Sequence, residues 1–193
     1  MGKIYCIMGK SATGKDTLYK MLLADPQLSL KTVVPYTTRP MREGETDGVE
    51  YYFCNEERLS ELLSAKKVIE LRAYDTVHGI WKYFTVDDHQ MSDEGQDYLL
   101  IGTLVSYRKL RDYFGTERVV PIYIEVEDGE RLFRAVQRER KESRPRYEEL
   151  CRRFLADAAD FSEEELASAG ISTRFINGNL RETEQKIKNY MLQ

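Results

Sequence analysis

Ile4-Tyr5-Cys6-Ile7-Met8-Gly9-Lys10-Ser11-Ala12-Thr13-Gly14-Lys15-Asp16-Thr17-Leu18 is the stretch that decides the fold. Five apolar residues in a row, broken at Gly9, read as a fully buried strand. Beyond Gly14 the apolar residues Leu18, Met21 and Leu22 recur at i, i+3 and i+4. That spacing predicts a helix from about Lys15, stopped by Asp25-Pro26. Strand, glycine-flanked loop and helix together open an α/β fold.

The loop nearly matches G-x-x-x-x-G-K-[ST], a pattern whose backbone curls around phosphate. Random placement of this chain's glycines and lysines meets the three fixed positions roughly 0.05 times. Gly9 and Gly14 permit the curl, so that N–H groups of Lys10, Ser11, Ala12 and Thr13 converge on phosphate oxygens. The helix starting at Lys15 adds its positive end, and Lys15 adds a mobile full charge. Asp16, with Thr17 beside it, stands where Ser or Thr usually ligates Mg²⁺. Two readings stay open there: a direct hard-oxygen ligand, or a first-turn carboxylate that favours the helix dipole.

Outward from this unit, Thr32–Val34 reads as a second short strand. From Pro35 to about Gln90 the texture changes to Tyr-, Val- and Thr-rich pieces, such as Val49–Phe53 and Lys82–Val86. A short helix at Leu59, Leu62 and Leu63 is begun by Asn55. This predicts a mixed, largely antiparallel insertion. The α/β rhythm resumes with a strand at Tyr98–Ile101, a helix at Leu104–Phe114 ending at Gly115, and a strand at Ile122–Val126. Asp128 is read as the cap of a helix bearing Leu132, Phe133 and Val136. After Pro145, the residues Tyr147, Leu150, Cys151, Phe154, Leu155 and Ala158 form the best helical stripe. A strand at Thr173–Ile176, an Asn177-Gly178 turn and a helix from Leu180, with Asn179 and Glu182 at capping-box spacing, close the chain.

The expected architecture is therefore α/β: a three-layer core with a parallel sheet, built from 1–34 and 96–193. It carries an inserted mixed α+β region at 35–95 and a helical arginine-rich lid at about 137–150. The 193 residues suffice for one compact domain. A charged fraction of 32% against 41% hydrophobic rules out low-complexity and disordered classes. The net charge of −4 argues against nucleic acid as the main partner. Cys6, Cys54 and Cys151 form no C-x-x-C pair, and the histidines are only His78 and His89, so neither a disulfide framework nor an imidazole metal site is expected. Cys6 is read as core; His78 and Trp81 belong to the insertion without a function. No apolar run approaches bilayer length and no signal peptide is apparent, so a cytoplasmic location is expected, without membrane contact.

Residues Tyr36–Phe53 read Tyr-Thr-Thr-Arg-Pro-Met-Arg-Glu-Gly-Glu-Thr-Asp-Gly-Val-Glu-Tyr-Tyr-Phe. Arg39 and Arg42 are three apart in a Pro- and Gly-punctuated segment. Their forks suit a terminal phosphate, and Tyr51 can add a hydroxyl. A phosphate loop followed by T-T-R-x-x-R-x-G-E-x-x-G-x-x-Y-x-F resembles the guanylate kinase family, and every fixed position is present, from Thr37, Thr38 and Arg39 through Gly44, Glu45 and Gly48 to Tyr51 and Phe53. The resemblance implies transfer of the γ-phosphoryl group of ATP to GMP with Mg²⁺. It implies that Arg39, Arg42 and Tyr51 clamp the GMP phosphate and that Glu70 reads guanine's N1–H and N2–H donors. Tyr83 and Thr85 match a Tyr-x-Ser/Thr pair, with extra length around Tyr74–Ile80. Asn177 resembles an Asn near the adenine, although plain turn chemistry is the other reading.

Three positions depart from the family pattern. Pro35 replaces a guanine-contacting Ser. Leu100-Ile101-Gly102-Thr103 lacks an acid found there, and Phe84 replaces a small residue.

Arg131–Arg153 holds nine basic and four acidic residues around Pro145, which suggests helix, break and helix able to swing. Arginines on such a lid stabilise charge spread over a moving phosphoryl group and exclude water. The resemblance favours Arg138 and Arg153, then Arg134 and Arg146. Two other readings remain. One is a kinase for a non-guanine acceptor such as ribose 1,5-bisphosphate, whose enzymes resemble guanylate kinases and can carry Gly-Lys-Asp. The other is a non-catalytic binding module, opposed by the intact Gly9, Gly14 and Lys15.

Overall fold

A computed structural model describes residues 2–76 and 79–193. His78 lies outside the described residues. The first strand, β1 (Ile4–Met8), forms as the apolar run predicts, and all five residues are buried. Its alternate side chains face opposite ways. Ile4, Cys6 and Met8 join one apolar cluster; Tyr5 and Ile7 join the other. A strand covered on both faces is the centre of a three-layer sandwich.

The main sheet is built from β1, β2 (Lys31–Thr32), β7 (Tyr98–Ile101), β8 (Val119–Glu125) and β9 (Arg174–Ile176). Its spatial order is β2-β7-β1-β8-β9, and every pairing is parallel. Helices α1 (Lys15–Ala24) and α7 (Leu180–Met191) cover one face through Leu18, Leu22 and Ile187. Helix α3 (Leu104–Phe114) and α6 (Glu163–Ser168) cover the other through Leu104, Tyr107, Leu110 and Leu166.

Between β2 and β7 the chain builds a second sheet. It contains β3 (Tyr36–Thr37), β4 (Tyr52–Phe53), β5 (Val68–Thr76) and β6 (Gly79–Val86), in the order β4-β3-β6-β5. The β5–β6 and β3–β6 pairs are antiparallel and β3–β4 is parallel. Helix α2 (Glu56–Ser64), capped by Asn55 as its sequence predicts, packs Leu59 and Leu62 against Phe84 and Val86. Phe84 is thus a core residue, stacked on Tyr36 at 5.5 Å. The extra length anticipated near Tyr74–Ile80 is an extension of the β5–β6 hairpin, which pairs Asp75 with Ile80 and Thr76 with Gly79.

Several boundaries differ from the sequence expectation. Strand β2 ends at Thr32, two residues before the predicted end at Val34. There Gln90 replaces a strand neighbour: Val34 N donates to Gln90 Oε1 at 2.8 Å, and Gln90 Nε2 donates to Val34 O at 3.1 Å. Strand β8 starts at Val119 and runs through Pro121, because β9 pairs only from Tyr123 onward and residue 121 sits at a local edge.

Helix α4 (Asp128–Glu139) is capped by Glu127, not Asp128. Its carboxylate accepts from Gly129 N and Glu130 N at 2.9 Å. The buried face of α4 carries Arg131 and Ala135, while Leu132 and Phe133 are exposed. Helix α5 (Tyr147–Asp160) buries only Leu150 of its predicted stripe; Tyr147 and Leu155 face solvent. Helix α6 was hidden in an acidic run.

Candidate active site

Gly9 and Gly14 are required by the packing of the loop. A Cβ on Gly9 would lie 2.5 Å from the Ile124 carbonyl oxygen. Gly14 adopts φ 84, and a Cβ there would lie 2.6 Å from Asn177 Nδ2. Ala12 is also left-handed, with φ 64. Thr13 Oγ1 donates to Lys10 O at 2.9 Å and ties the loop across its neck. Asn177 Nδ2 donates to Thr13 O at 2.7 Å, and both residues are buried. Asn177 therefore braces the loop from the end of β9. It also lines, with Arg134, Gly178 and Asn179, a cleft of about 560 Å³ beside Ala12, Gly14 and Thr17.

The loop is held from its other side by helices α4 and α5. Ser11 N donates to Asp157 Oδ2 at 2.7 Å. Arg131 is wholly buried, and its Nη1 donates to the same oxygen at 3.1 Å and to Ser11 O at 3.4 Å. Its Nε donates to Asp128 Oδ1 at 3.1 Å, and its guanidinium lies 4.1 Å from the Phe154 ring centre. Nη2 lies 3.0 Å from Asp128 Oδ1 but is not aligned for a hydrogen bond. Residues Arg140–Arg146, with Pro145, break the two helices. Arg138 and Arg153 line a small void of about 20 Å³ between them, next to Ser11 and Arg131. Arg134 bonds Glu130 at 2.7 Å and reaches the Asn177 carbonyl at 3.3 Å. Arg153 Nε is 3.3 Å from Glu149, and the Arg146 side chain is exposed.

On the far side, period-two alternation brings Glu70 and Arg72 of β5 to one face with Thr85 and Tyr83 of β6 opposite them. Glu70 is buried. Oε1 accepts from Thr85 Oγ1 at 2.9 Å, and Oε2 accepts from Arg72 Nε at 2.9 Å. Burial works against the Arg72 charge, but Glu70 holds the guanidinium's pKa above the ordinary arginine value. A cavity of about 810 Å³ joins this hairpin to the first turn of α1; Lys15, Asp16, Tyr51, Glu70, Tyr83 and Thr85 all line it. Arg39 and Arg42 are not in that lining. Arg39 is buried behind Tyr51, 5.1 Å from its ring centre and 5.3 Å from that of Phe53. Arg42 is exposed on the loop.

Glu45 organises that pair. It accepts from Arg39 Nη1 at 2.7 Å and from Arg42 N at 2.8 Å. The Arg39 hydrogen bond, chiefly, holds its carboxyl at about 2, below the ordinary 4.5. A depressed carboxylate pKa stabilises the fold fully above the unfolded value, and that stabilisation is lost as pH falls through the folded one. Glu45→Gln is therefore expected to melt below wild type at pH 7. The gap should close between about pH 4.5 and pH 2. A gap independent of pH in a thermal-melt series would show that the carboxylate charge is not what holds Arg39.

Sequence reasoning left four of these residues without a role. Glu45 was legible within the motif, six positions after Arg39. Arg72 was legible as the next same-face residue after Glu70. Arg131 was counted in the basic run without being singled out, and Asp157 carried no local signal. Within Leu100–Thr103, which lacks an acid, a Cβ on Gly102 would lie 2.5 Å from Cys6 Sγ and 2.8 Å from Ser106 Oγ, so a larger residue there would have to displace those side chains. Among the described residues no group of three or more His, Cys, Asp or Glu could hold a metal ion. Among them, too, no helix is long and apolar enough to cross a membrane.

The guanylate kinase family model matches residues 1–189. A curated guanylate kinase of Symbiobacterium thermophilum is 32% identical over 114 residues, which are 58% of this chain. The aligned part is 52% of that relative, so the match spans about half its length. The crystal structure of guanylate kinase from Anaplasma phagocytophilum superimposes with a TM-score of 0.70, covering 99% of this chain and 85% of that one at 23% identity. That likeness is one of fold.

Proposed function

The chain belongs to the guanylate kinase family, and from that premise we propose that it moves the γ-phosphoryl group of ATP to GMP, giving ADP and GDP, with Mg²⁺. One observation carries the reading. The cavity of about 810 Å³ runs from Lys15 and Asp16 on the phosphate loop's helix to Glu70, Tyr83 and Thr85 on the hairpin. In-line transfer needs two nucleotides end to end in one continuous space. On this reading residues 35–95 form the acceptor half, 1–34 and 96–193 the core, and 137–150 the lid.

The roles follow from charge and reach. The N–H groups from Gly9 to Thr17 cradle the ATP phosphates, that of Ser11 after leaving Asp157, and Lys15 balances their charge. Arg39, Arg42 and Tyr51 hold the acceptor phosphate. Reaching it requires the Arg42 loop to fold inward over Tyr51. Glu70 accepts from guanine N1–H and N2–H, flanked by Tyr83 and Thr85. Arg138 and Arg153 stabilise the charge that spreads over the transferring group, and the closing lid excludes water. Asn177 steadies the loop at the adenine side.

Mg²⁺ is bound by hard oxygens and commonly needs one or two carboxylates, with phosphate and water completing its shell. Asp16 and Thr17, both exposed on the first turn of α1, fit that demand. When bound, the ion neutralises charge on the β- and γ-phosphate oxygens.

The test is ADP release with ATP and Mg²⁺ against GMP, dGMP, AMP, UMP, CMP and ribose 1,5-bisphosphate. Turnover with GMP, alone or with dGMP, is the expected result. Turnover only with ribose 1,5-bisphosphate or another acceptor would keep the phosphate loop and overturn the guanine assignment. ATP binding without turnover of any acceptor would overturn the kinase reading.

A further inference from the structure

We propose that Arg72 reads guanine directly, donating from its guanidinium to the O6 and N7 acceptors while Glu70 takes the N1–H and N2–H donors. The inference rests on the guanylate kinase reading and adds a specificity-determining residue to the same acceptor site.

Guanine presents two kinds of polar edge: donors at N1 and N2, and acceptors at O6 and N7. A carboxylate satisfies only the first. At Pro35 the wall offers neither a hydroxyl nor an N–H, and Gly102 carries no side chain. Arg72 stands two residues from Glu70 on β5, on the same face, and both line the cavity. Its side chain is 20% exposed, whereas that of Glu70 is 1% exposed, so the arginine is the more accessible of the two.

Glu70 and Tyr74 both hydrogen-bond the Arg72 side chain, and the contacts to Glu70 are unequal. Arg72 Nε to Glu70 Oε2 is the shorter contact at 2.9 Å, and it anchors the arginine. Nη2 to Oε1 is longer, at 3.3 Å, and Oε1 already accepts from Thr85 Oγ1 at 2.9 Å. When N1–H and N2–H dock on the carboxylate, Nη2 is the donor with least to lose. O6 is bonded to the carbon next to N1, so it arrives beside the displaced nitrogen. An arginine fork meeting O6 and N7 is the commonest specific contact to guanine in nucleic-acid recognition, and a good bidentate pair discriminates by about 10- to 100-fold. An arginine that merely neutralised Glu70 would weaken guanine binding instead, which makes the two roles opposite in sign.

The experiment measures kcat and KM for GMP and for 7-deaza-GMP, which lacks only the N7 acceptor, in wild type, Arg72→Met and Arg72→Lys. Wild type is expected to prefer GMP by about tenfold in kcat/KM. Arg72→Met should lower kcat/KM for GMP by about 10- to 100-fold, mostly through KM, and erase the preference. Arg72→Lys keeps a cation beside Glu70 but has no fork, so it should also lose the preference while melting close to wild type. If both variants retain the wild-type preference, or if Arg72→Met binds GMP more tightly, the proposal is overturned. A wild-type enzyme that turns over other acceptors but no guanine nucleotide would overturn the kinase's guanine reading and this inference with it. The acceptor panel separates that outcome from failure at Arg72 alone.

Discussion

Lys15→Met is expected to lower the rate of ADP release by about 10²- to 10³-fold, the largest activity loss of any single change in this chain. The ammonium is the one full positive charge on the first turn of α1, at the phosphate-loop end of the cavity. Methionine keeps most of the stem volume and removes only that charge. Among the described residues no hydrogen bond of the Lys15 side chain holds the core, so the melting temperature should move by no more than about 1–2 °C, as for a surface substitution. Stopped-flow ADP release and a thermal melt on the same sample separate the two effects. A variant within threefold of wild type would show that Lys15 does not meet the transferred phosphate.

The second large effect is on stability. Arg131→Leu is expected to cost about 3 kcal/mol, at the low end for breaking a buried ion pair. The low end applies because the Asp128 side chain is 50% exposed and can resolvate, whereas the Asp157 side chain, at 17%, loses its cation in place. For a domain of this size the melting temperature should fall by about 6–12 °C. Removing both partners, in Arg131→Leu with Asp157→Ala, should recover part of the loss, since no uncompensated carboxylate then remains. A single variant that melts within 1 °C of wild type would mean that α4 and α5 are not held to the Gly9–Gly14 loop through this residue.

The two predictions differ in how far the sequence announces them. Lys15 is legible at once, because strand, loop and helix follow from neighbours within a few positions. Helix α3 is equally local: Thr103 caps it, and Gly115 with φ 92 ends it where the sequence predicts. The Tyr36–Phe53 motif carries its own spacing, and the alternation of β5 puts Glu70 and Arg72 on one face once the strand is granted.

Arg131 is of the other kind. A hydrophobic count turns Leu132 and Phe133 of α4 inward, yet they are exposed and Arg131 is buried. The reason is that its partners come from elsewhere in the chain. Asp157 lies 26 positions away and Ser11 lies 120. A periodicity argument counts charge as outward-facing and has no means to foresee a buried partner. The same limit hid the role of Asp157 and the filling of the Gly102 site by Cys6 and Ser106.

What the sequence by itself determined is what short-range sterics and periodicity dictate. These are the buried β1 and the curled loop after it, the helix caps at Asn55 and Asn179, and a parallel core interrupted by a mixed insertion. Tertiary structure alone decided which distant charges meet, as Arg131 does with Asp157, and that the Arg39–Glu45 pair sits behind Tyr51. Backbone conformation depends on residues a few positions apart, so it is written locally. Ion pairs depend on distances across the packed interior, where burial makes an unpaired charge costly, and those distances exist only once the layers have closed.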